Sequence, residues 1–545
     1  MIKITEKTLI SLCLTSSAEY NEHPAFAMLD DGQISRRLSY KQFGLRARQI
    51  GSLLRALGVD KDGKVLLLSE NCPEWALSYF GIAYAGAVSV PLLTGFSNEE
   101  IRHIANHSEV SAVCLSRAMA DKFDNHDFSK TPFIFIDTIS STADDAEITV
   151  SLNGLEKQMP LRADENFAGF TQRSEDDLAT IIYTSGTQGS SKGVMLSGKN
   201  LISSALSSLA FKKITPRDRF LSILPLAHSY ECGLGLLAPV LSGASITYLD
   251  RPPSQSVLMP ALQLVRPTAI FSVPLLIQKI YNNGIAPKLR KNPLYKFPLT
   301  RPLAIRVAGK KLISAMGGCI RVFGVGGAPL SPEVEQFLHR AKFPYTIGYG
   351  LTETAPLVAG NTPLRHAFGT GIVAAKGVSL RIEKSASLNN GEGEIQVSGP
   401  NVMLGYYKDK ERTASAFTSD GWLHTGDLGR LDSKGRLHIR GRLKALILGP
   451  SGENIYPEEI EGLLGTSQMV EDALVYSGKK GELVALVRLS DAAKDAVGGI
   501  ENVLEELRSW ANKKLSAFSR LSRIELRSEP FEKTPTMKIK RYLYV

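Results

Sequence analysis

An α/β fold spread over more than one domain is what this sequence predicts, on three observations. The chain has 545 residues, more than one hydrophobic core organises, so two or more domains are expected. From residue 39 to 91 the signals alternate: helical periodicity at 40–57, an apolar strand-like run at 64–69, a helix at 73–85 and a second strand at 87–93. Strands alternating with helices imply a parallel sheet covered on both faces. At 179–183 another apolar run ends in a loop of Gly, Ser and Thr with a single lysine, and a helix-like segment begins near Lys199.

That loop is Thr184-Ser185-Gly186-Thr187-Gln188-Gly189-Ser190-Ser191-Lys192-Gly193. Strand, glycine-rich loop, helix is one way a backbone wraps a phosphate. Glycine allows close approach, N–H groups point inward, and hydroxyls and a lysine add donors. A flexible surface loop accounts for the Gly and Ser content equally well. The Walker spacing fails, because Gly193 follows Lys192 where Ser or Thr is required. The stretch instead resembles the phosphate loop of the adenylate-forming superfamily: acyl-CoA synthetases, carrier-protein adenylation domains and luciferases. Their usual pattern is Thr-Ser-Gly-Thr-Thr-Gly-x-Pro-Lys-Gly; here Gln188 replaces the second Thr and Ser191 the Pro. The resemblance implies that Thr184, Ser185, Gly186, Thr187 and Lys192 hold the phosphates of ATP.

Composition fits a soluble globular protein, with 43% hydrophobic and 22% charged residues. Cys13, Cys72, Cys114, Cys232 and Cys319 are scattered, never spaced as metal ligands, and read as reduced thiols of a cytoplasmic protein. The apolar run at 9–14 is short, interrupted by Ser11 and preceded by Glu6, unlike a signal peptide. The uncharged stretch 232–249 has transmembrane length. Gly233, Gly235, Pro239 and Gly243 make a buried helix, a glycine turn and a strand the better reading. Net charge is +10, with one focus at 288–311, where eight Lys or Arg stand without an acid. Prolines 287, 293, 298 and 302 make that stretch read as loop-like. A solvated basic face is the bland interpretation; peripheral contact with an anionic membrane surface is the sharper one. No zinc spacing and no aromatic–basic signature points to nucleic acid.

Taken in order, residues 69–75 and 85–91 also resemble the superfamily's N-terminal subdomain, where a packing role is expected. Residues 117–178 offer a strand at 133–137 and then an irregular polar connection. A strand near 220–224 delivers His228 to a loop. A lone His is commonly structural, but the superfamily places an aromatic or His here beside the acyl pocket. Residues 266–281 contain Arg-Pro-Thr, an apolar strand, Val-Pro and a helix ending Lys-Ile-Tyr, which is similar to long-chain acyl-CoA synthetases in particular. A strand at 321–325 leads into Gly326-Gly327-Ala328-Pro329-Leu330. The dinucleotide fingerprint fails there because Pro329 occupies the third glycine position. The superfamily lays this turn, Gly326, Gly327 and Ala328, along the adenine.

Gly348-Tyr349-Gly350-Leu351-Thr352-Glu353-Thr354 is the second signature. By resemblance Tyr349 stacks on adenine, Thr352 meets the α-phosphate, and Glu353 is the oxygen ligand of Mg²⁺, with Thr184 as a further ligand. Gly405-Tyr406-Tyr407 looks like part of a β-rich subdomain. In His424-Thr425-Gly426-Asp427 the superfamily uses the Asp to accept from both ribose hydroxyls. Arg442 is expected to reach ribose and phosphate, Lys444 to be a hinge, and Gly452 to line the route of a pantetheine thiol. Near the end the family pattern Lys-Thr-x-x-Gly-Lys aligns Lys538 with the catalytic lysine, although Met537 replaces the Gly; Lys540 is the fallback.

The resemblance spans nearly the whole chain. It implies a large adenylating domain at 1–441, made of two α/β sheet subdomains and a β-rich one, and a small α+β lid at 442–545. The implied activity is activation of a long-chain fatty acid by ATP and Mg²⁺ to acyl-AMP, then thioester formation with coenzyme A. Transfer to the phosphopantetheine of an acyl carrier protein, a medium-chain or aryl acid, and a silent nucleotide-binding regulator are the alternatives.

Overall fold

The computed structural model describes residues 2–123, 128, 130–139, 146–163, 173–184, 191–384, 391–448, 454–478, 481–494, 499–534 and 538–545. Two nine-stranded sheets form its larger part. In the first, Ser245–Leu249 lies between Pro24–Asp30 and Arg219–Leu221, and Ala269–Ser272, Val322–Val325 and Tyr345–Gly350 continue outward, all parallel. In the second, Lys64–Leu68 is flanked in parallel by Val88–Leu92 and Val110–Leu115. These central strands are near-continuous apolar runs because both of their faces are covered. The helices Leu9–Tyr20, Tyr40–Ala56 and Pro73–Tyr84 pack into one core shared with strands of both sheets, with Trp75, Tyr79 and Tyr248 buried in it.

A four-stranded antiparallel sheet follows, made of Ser379–Lys384, Gly393–Ser398, Leu423–Leu431 and Leu437–Arg442. Beyond it Val470–Ser477, Leu483–Leu489 and Arg523–Leu526 form a three-stranded sheet with its own core, including Ile460, Val475, Val487 and Leu507.

Several local expectations are corrected. A strand, Lys192–Ser197, stands between the phosphate-type loop and the helix Gly198–Phe211. It pairs antiparallel with Leu178–Thr184, so a hairpin carries Lys192 and no helix N-terminus follows the loop directly. Gly193 hides this strand in the sequence, yet the pairing needs it: a Cβ there would lie 2.8 Å from Ile181. The polar connection after residue 137 contains a second hairpin, Glu147–Leu152 with Leu155–Pro160. Gly405–Tyr406 joins the second large sheet, beside Lys192–Ser197, rather than a β-rich unit. The basic stretch is helical, Ala286–Lys291, Pro293–Lys296 and Arg301–Ala315. Its Pro287, Pro293 and Pro302 occupy first helical turns, where a missing N–H costs nothing. Residues 232–249, by contrast, follow the expected helix, glycine turn and strand: a π-helical turn Glu231–Leu237, the helix Ala238–Ser242 and the strand Ser245–Leu249, with Gly243 at φ 73° in the turn.

Candidate functional site

Three segments bring the acidic and basic groups together. Thr184 and Lys192 face each other across the hairpin. Lys192 Nζ lies 2.6 Å from Glu353 Oε1 and donates to the Tyr406 hydroxyl at 2.8 Å, while that hydroxyl donates to the same carboxylate oxygen at 2.9 Å. The ammonium also sits 4.5 Å from the Tyr406 ring centroid. Burial alone would raise the Glu353 carboxyl, but the Lys192 charge and these hydrogen bonds bring it below its ordinary range. Glu353 belongs to the tight turn Thr352–Thr354 after the strand Tyr345–Gly350. Thr354 Oγ1 donates to Pro356 O at 2.7 Å, and Asn401 Nδ2 donates to Thr354 O at 3.1 Å and Leu357 O at 2.8 Å. Gly350 has no alternative, since a Cβ would lie 1.7 Å from Pro356 O. Among the described residues, the buried Thr184 Oγ1 has no hydrogen-bond partner. A hard carboxylate and an unpartnered hydroxyl are donors that suit Mg²⁺. Ser185, Gly186, Thr187 and Gly452 lie outside the described residues.

On a second side, Tyr349 donates to Asp427 Oδ2 at 2.7 Å, and Arg442 Nε lies 2.8 Å from Asp427 Oδ1. Asp427 and Arg442 are register partners in the four-stranded sheet, which fixes that pair. Burial holds the Asp427 carboxyl above its usual value despite Arg442. Glu394 anchors the segment leading to Asp427, accepting from Gly426 N at 2.8 Å and bonding His424 Nδ1 at 2.8 Å. The turn after Val322–Val325 begins with Gly326 N donating to Ser272 O at 3.2 Å. Gly327 has φ 85° and Ala328 is exposed beside it. A Cβ at Gly326 would come within 3.3 Å of Gly348 O and the Tyr230 ring.

His228 closes a third side. Its loop is pinned by Asn71, whose Nδ2 donates to Leu224 O at 2.6 Å and whose Oδ1 accepts from Leu226 N at 2.8 Å. Asn71 also donates to Ser222 Oγ at 3.2 Å, and Ser222 in turn donates to the buried Glu231 at 2.6 Å. The segment expected to serve packing therefore also positions this loop. His228 Nδ1 accepts from Tyr230 N at 3.2 Å. Burial and the Lys538 charge push its pKa down to about 4, leaving a neutral imidazole at physiological pH. Ser229 Oγ donates to Thr352 Oγ1 at 3.5 Å, joining this loop to the Glu353 turn.

Lys538 arrives on a short return of the C-terminal tail. Thr534 N donates to Lys538 O at 2.7 Å, Lys533 pairs with Asp472 at 2.7 Å, and Arg541 pairs with Glu461 at 2.5 Å. Lys538 is exposed. The surrounding protein nevertheless lowers its pKa, with Arg442 adding to that effect and Asp427 and Glu353 opposing it. Lys540 turns elsewhere, 3.8 Å from Glu532. Lys444 lies exposed in the turn Leu443–Ala445 immediately after Arg442. Nearby, Glu392 receives Arg440 Nε at 2.7 Å and the Tyr456 hydroxyl at 2.6 Å. Tyr406, Ser229, Asn71 and Glu392 were not singled out as site residues by sequence reasoning. Asn71, Ser229 and Tyr406 fall inside recognised stretches; Glu392 does not.

The Lys192–Glu353 pair, the Asp427–Arg442 pair and the tail lysine Lys538 act electrostatically on one another, a clustering of fixed charges suited to an anionic ligand. The chain belongs to the AMP-binding enzyme family, whose model matches residues 14–407. It is 30% identical over 566 residues to an Arabidopsis thaliana protein named long chain acyl-CoA synthetase 6, peroxisomal, covering 92% of this chain and 79% of that one. It is also 28% identical over 551 residues to 4-coumarate–CoA ligase of Vanilla planifolia, covering 98% and 92%. The fold matches that of ATP-bound MatB from Rhodopseudomonas palustris with a TM-score of 0.76 at 23% identity, covering 99% of this chain and 98% of the other. Among the described residues no helix is long and apolar enough to cross a membrane.

Proposed function

We propose that the protein is an AMP-forming ligase that joins a long-chain fatty acid to coenzyme A. The convergence of Lys192, Glu353, Asp427 and Lys538 on one cleft carries this reading. A carboxylate oxygen of the acid attacks the α-phosphorus of ATP; the bond to the bridging oxygen breaks and pyrophosphate leaves. Thr184, Lys192 and the adjoining loop hold phosphate oxygens, and Thr352 meets the α-phosphate. Mg²⁺, held by Glu353 and Thr184, supplies charge neutralisation when bound. Asp427 fixes the ribose, with Arg442 beside it, while Tyr349 and the Gly326–Gly327–Ala328 turn border the adenine. Lys538 bridges the acid and the α-phosphate. Such groups act by positioning and by offsetting charge that develops in the transition state. His228, being neutral, borders the acyl group rather than serving as a cation. In the second step the thiolate of coenzyme A attacks the acyl carbonyl, the carbonyl–oxygen bond breaks, and AMP leaves.

The lid reading makes residues 442–545 a unit that turns about Lys444 between the two steps, withdrawing Lys538 and bringing Gly452 to the thiol route. The long-chain assignment is supported by the segment 266–281 and by relatives carrying that name. An aryl acid is the second reading, favoured by the similarity to 4-coumarate–CoA ligase. Pyrophosphate release across palmitate, oleate, benzoate, 4-coumarate and acetate, with coenzyme A or a carrier protein as acceptor, tests all of these. A higher kcat/KM for benzoate, 4-coumarate or acetate than for palmitate would overturn the long-chain reading.

A further inference from the structure

We propose that the helical hairpin spanning residues 286–311 docks on an anionic lipid leaflet by inserting an apolar apex. The basic stretch alone suggested surface adsorption; the structure adds a wedge. Between Pro293–Lys296 and Arg301–Ala315, the turn exposes Phe297 by 65% and Leu299 by 96%. Leu299, Leu303 and Val307 follow at four-residue spacing, and all three are exposed, so an apolar stripe runs down from the apex on one face. Lys288, Arg290, Lys291, Lys296, Arg301, Arg306, Lys310 and Lys311 surround it, every one exposed. Among the described residues the one ion pair in this set joins Arg290 to Glu333 at 3.5 Å.

The apex is held out by its own hydrogen bonds. Thr300 Oγ1 donates to Leu294 O at 2.7 Å, Arg301 N to Phe297 O at 2.9 Å, and Arg301 Nε to Tyr295 O at 2.9 Å. The opposite face of Arg301–Ala315 is fixed in place by buried Ala304, Ile305 and Leu312, and by Gly309, where a Cβ would lie 2.6 Å from Ala341 O. The helix therefore cannot roll to cover Leu303 and Val307. An occupant must be apolar inside and negative at its surface, which describes a leaflet with anionic headgroups. An acidic protein offers the charge, but Leu299 stands nearly free on a convex tip, which a fluid leaflet accepts without a preformed groove. The hairpin follows the helix Pro274–Lys279 in the chain, whose preceding residue Val273 lies beside Gly327. Docking does not depend on which acid the enzyme uses.

Co-sedimentation of the full chain with phosphatidylcholine vesicles, with and without phosphatidylglycerol, tests this at low and high salt. The native protein is expected to sediment only with the anionic vesicles and to be released by salt. Combined Phe297→Ser and Leu299→Ser should weaken binding roughly ten-fold at low salt. Combined Lys291→Glu, Lys296→Glu and Lys310→Glu should weaken it about a hundred-fold, each lost base contributing about five-fold. Leu299→Trp should add emission that shifts to the blue on anionic vesicles and is quenched by brominated acyl chains. Native Tm and native pyrophosphate exchange with a water-soluble acid identify folded variants. Unchanged sedimentation of the serine variant, or an added indole that neither shifts nor quenches, overturns insertion. Binding of an acidic carrier protein without vesicle binding overturns the choice of lipid.

Discussion

Lys538 and Lys540 are two residues apart on one tail, and their surroundings separate them. The charges of Asp427 and Glu353 act on Lys538, while Lys540 lies beside Glu532. A lysine bridging two anions matters most where charge builds up, and losing one such donor costs on the order of 10²–10³ in rate. Lys538→Ala is therefore expected to abolish ATP–pyrophosphate exchange while sparing thioester formation from supplied acyl-AMP; Lys540→Ala should spare both. Equal loss of both half-reactions with Lys538→Ala would contradict a lysine that withdraws between steps. Glu231 presents a second residue-scale test. Burial raises its pKa from 4.5 to about 8, partly offset by the Ser222 hydrogen bond. Between those values the folded protein keeps a proton that the unfolded chain gives up, so rising pH favours unfolding. Stability from this group is complete below about pH 4.5, declines through pH 8 and then levels, a span on the order of a few kcal/mol. Glu231→Gln removes that decline, so its Tm relative to wild type should rise from pH 5 to pH 8. A constant Tm difference would show that Glu231 is ionised in the fold.

At the scale of elements, the two-residue strand Gly405–Tyr406 has an effect beyond its size. Pairing Val194 with Tyr406 puts the phenol hydroxyl within hydrogen-bond reach of both Lys192 and Glu353. Tyr406→Phe keeps the ring beneath the ammonium and removes both hydroxyl bonds to charged groups, each worth about 1.5–3 kcal/mol. Adenylation should fall by about ten-fold while thioester formation from acyl-AMP is unchanged; an unaffected exchange rate would leave Tyr406 a purely packing residue. Neither this strand nor Lys192–Ser197 was legible in the sequence. Gly405–Tyr406 is only two residues long, and Gly193 and Gly405 interrupt the apolar periodicity. In both cases the glycine is demanded by a neighbour, Ile181 for one and Thr413 for the other. The buried strands Lys64–Leu68 and Leu178–Thr184 were legible because parallel strands covered on both faces leave unbroken apolar runs. Prolines misled in the opposite direction at residues 287–302: a proline marks a boundary, and here three of four begin helices. Of the cleft, the charged residues in distinctive motifs could be read, whereas Asn71 and Glu392 act through backbone carbonyls and a tyrosine that no local pattern reveals.

Across the whole molecule, the cleft is assembled from parts far apart in sequence: a hairpin at 184–192, a turn at 352–354, a sheet edge at 427–442 and the tail at 538. Such an arrangement persists only while residues after Arg442 stay seated on the sheets before it. Glu392 is a buried carboxylate at the start of Gly393–Ser398, holding Tyr456 from one side of that boundary and Arg440 from the other. Gln468 adds a hydrogen bond to Asn282 O at 2.8 Å. In this arrangement Lys538 lies within electrostatic range of Glu353 and Asp427, the arrangement proposed for adenylation. Tyr456→Phe removes a hydrogen bond to a charged acceptor, worth about 1.5–3 kcal/mol, and touches no group assigned to substrate. If the lid turns between steps, that loss weakens the seated arrangement alone. Pyrophosphate exchange should then slow by roughly ten-fold or more, and thioester formation from supplied acyl-AMP should hold steady or rise. Gln468→Ala should act in the same direction more weakly, because its bond is exposed and uncharged. A fixed lid predicts the opposite pattern: Tyr456→Phe would lower Tm and depress both half-reactions together, and that outcome would remove the rotation from the mechanism.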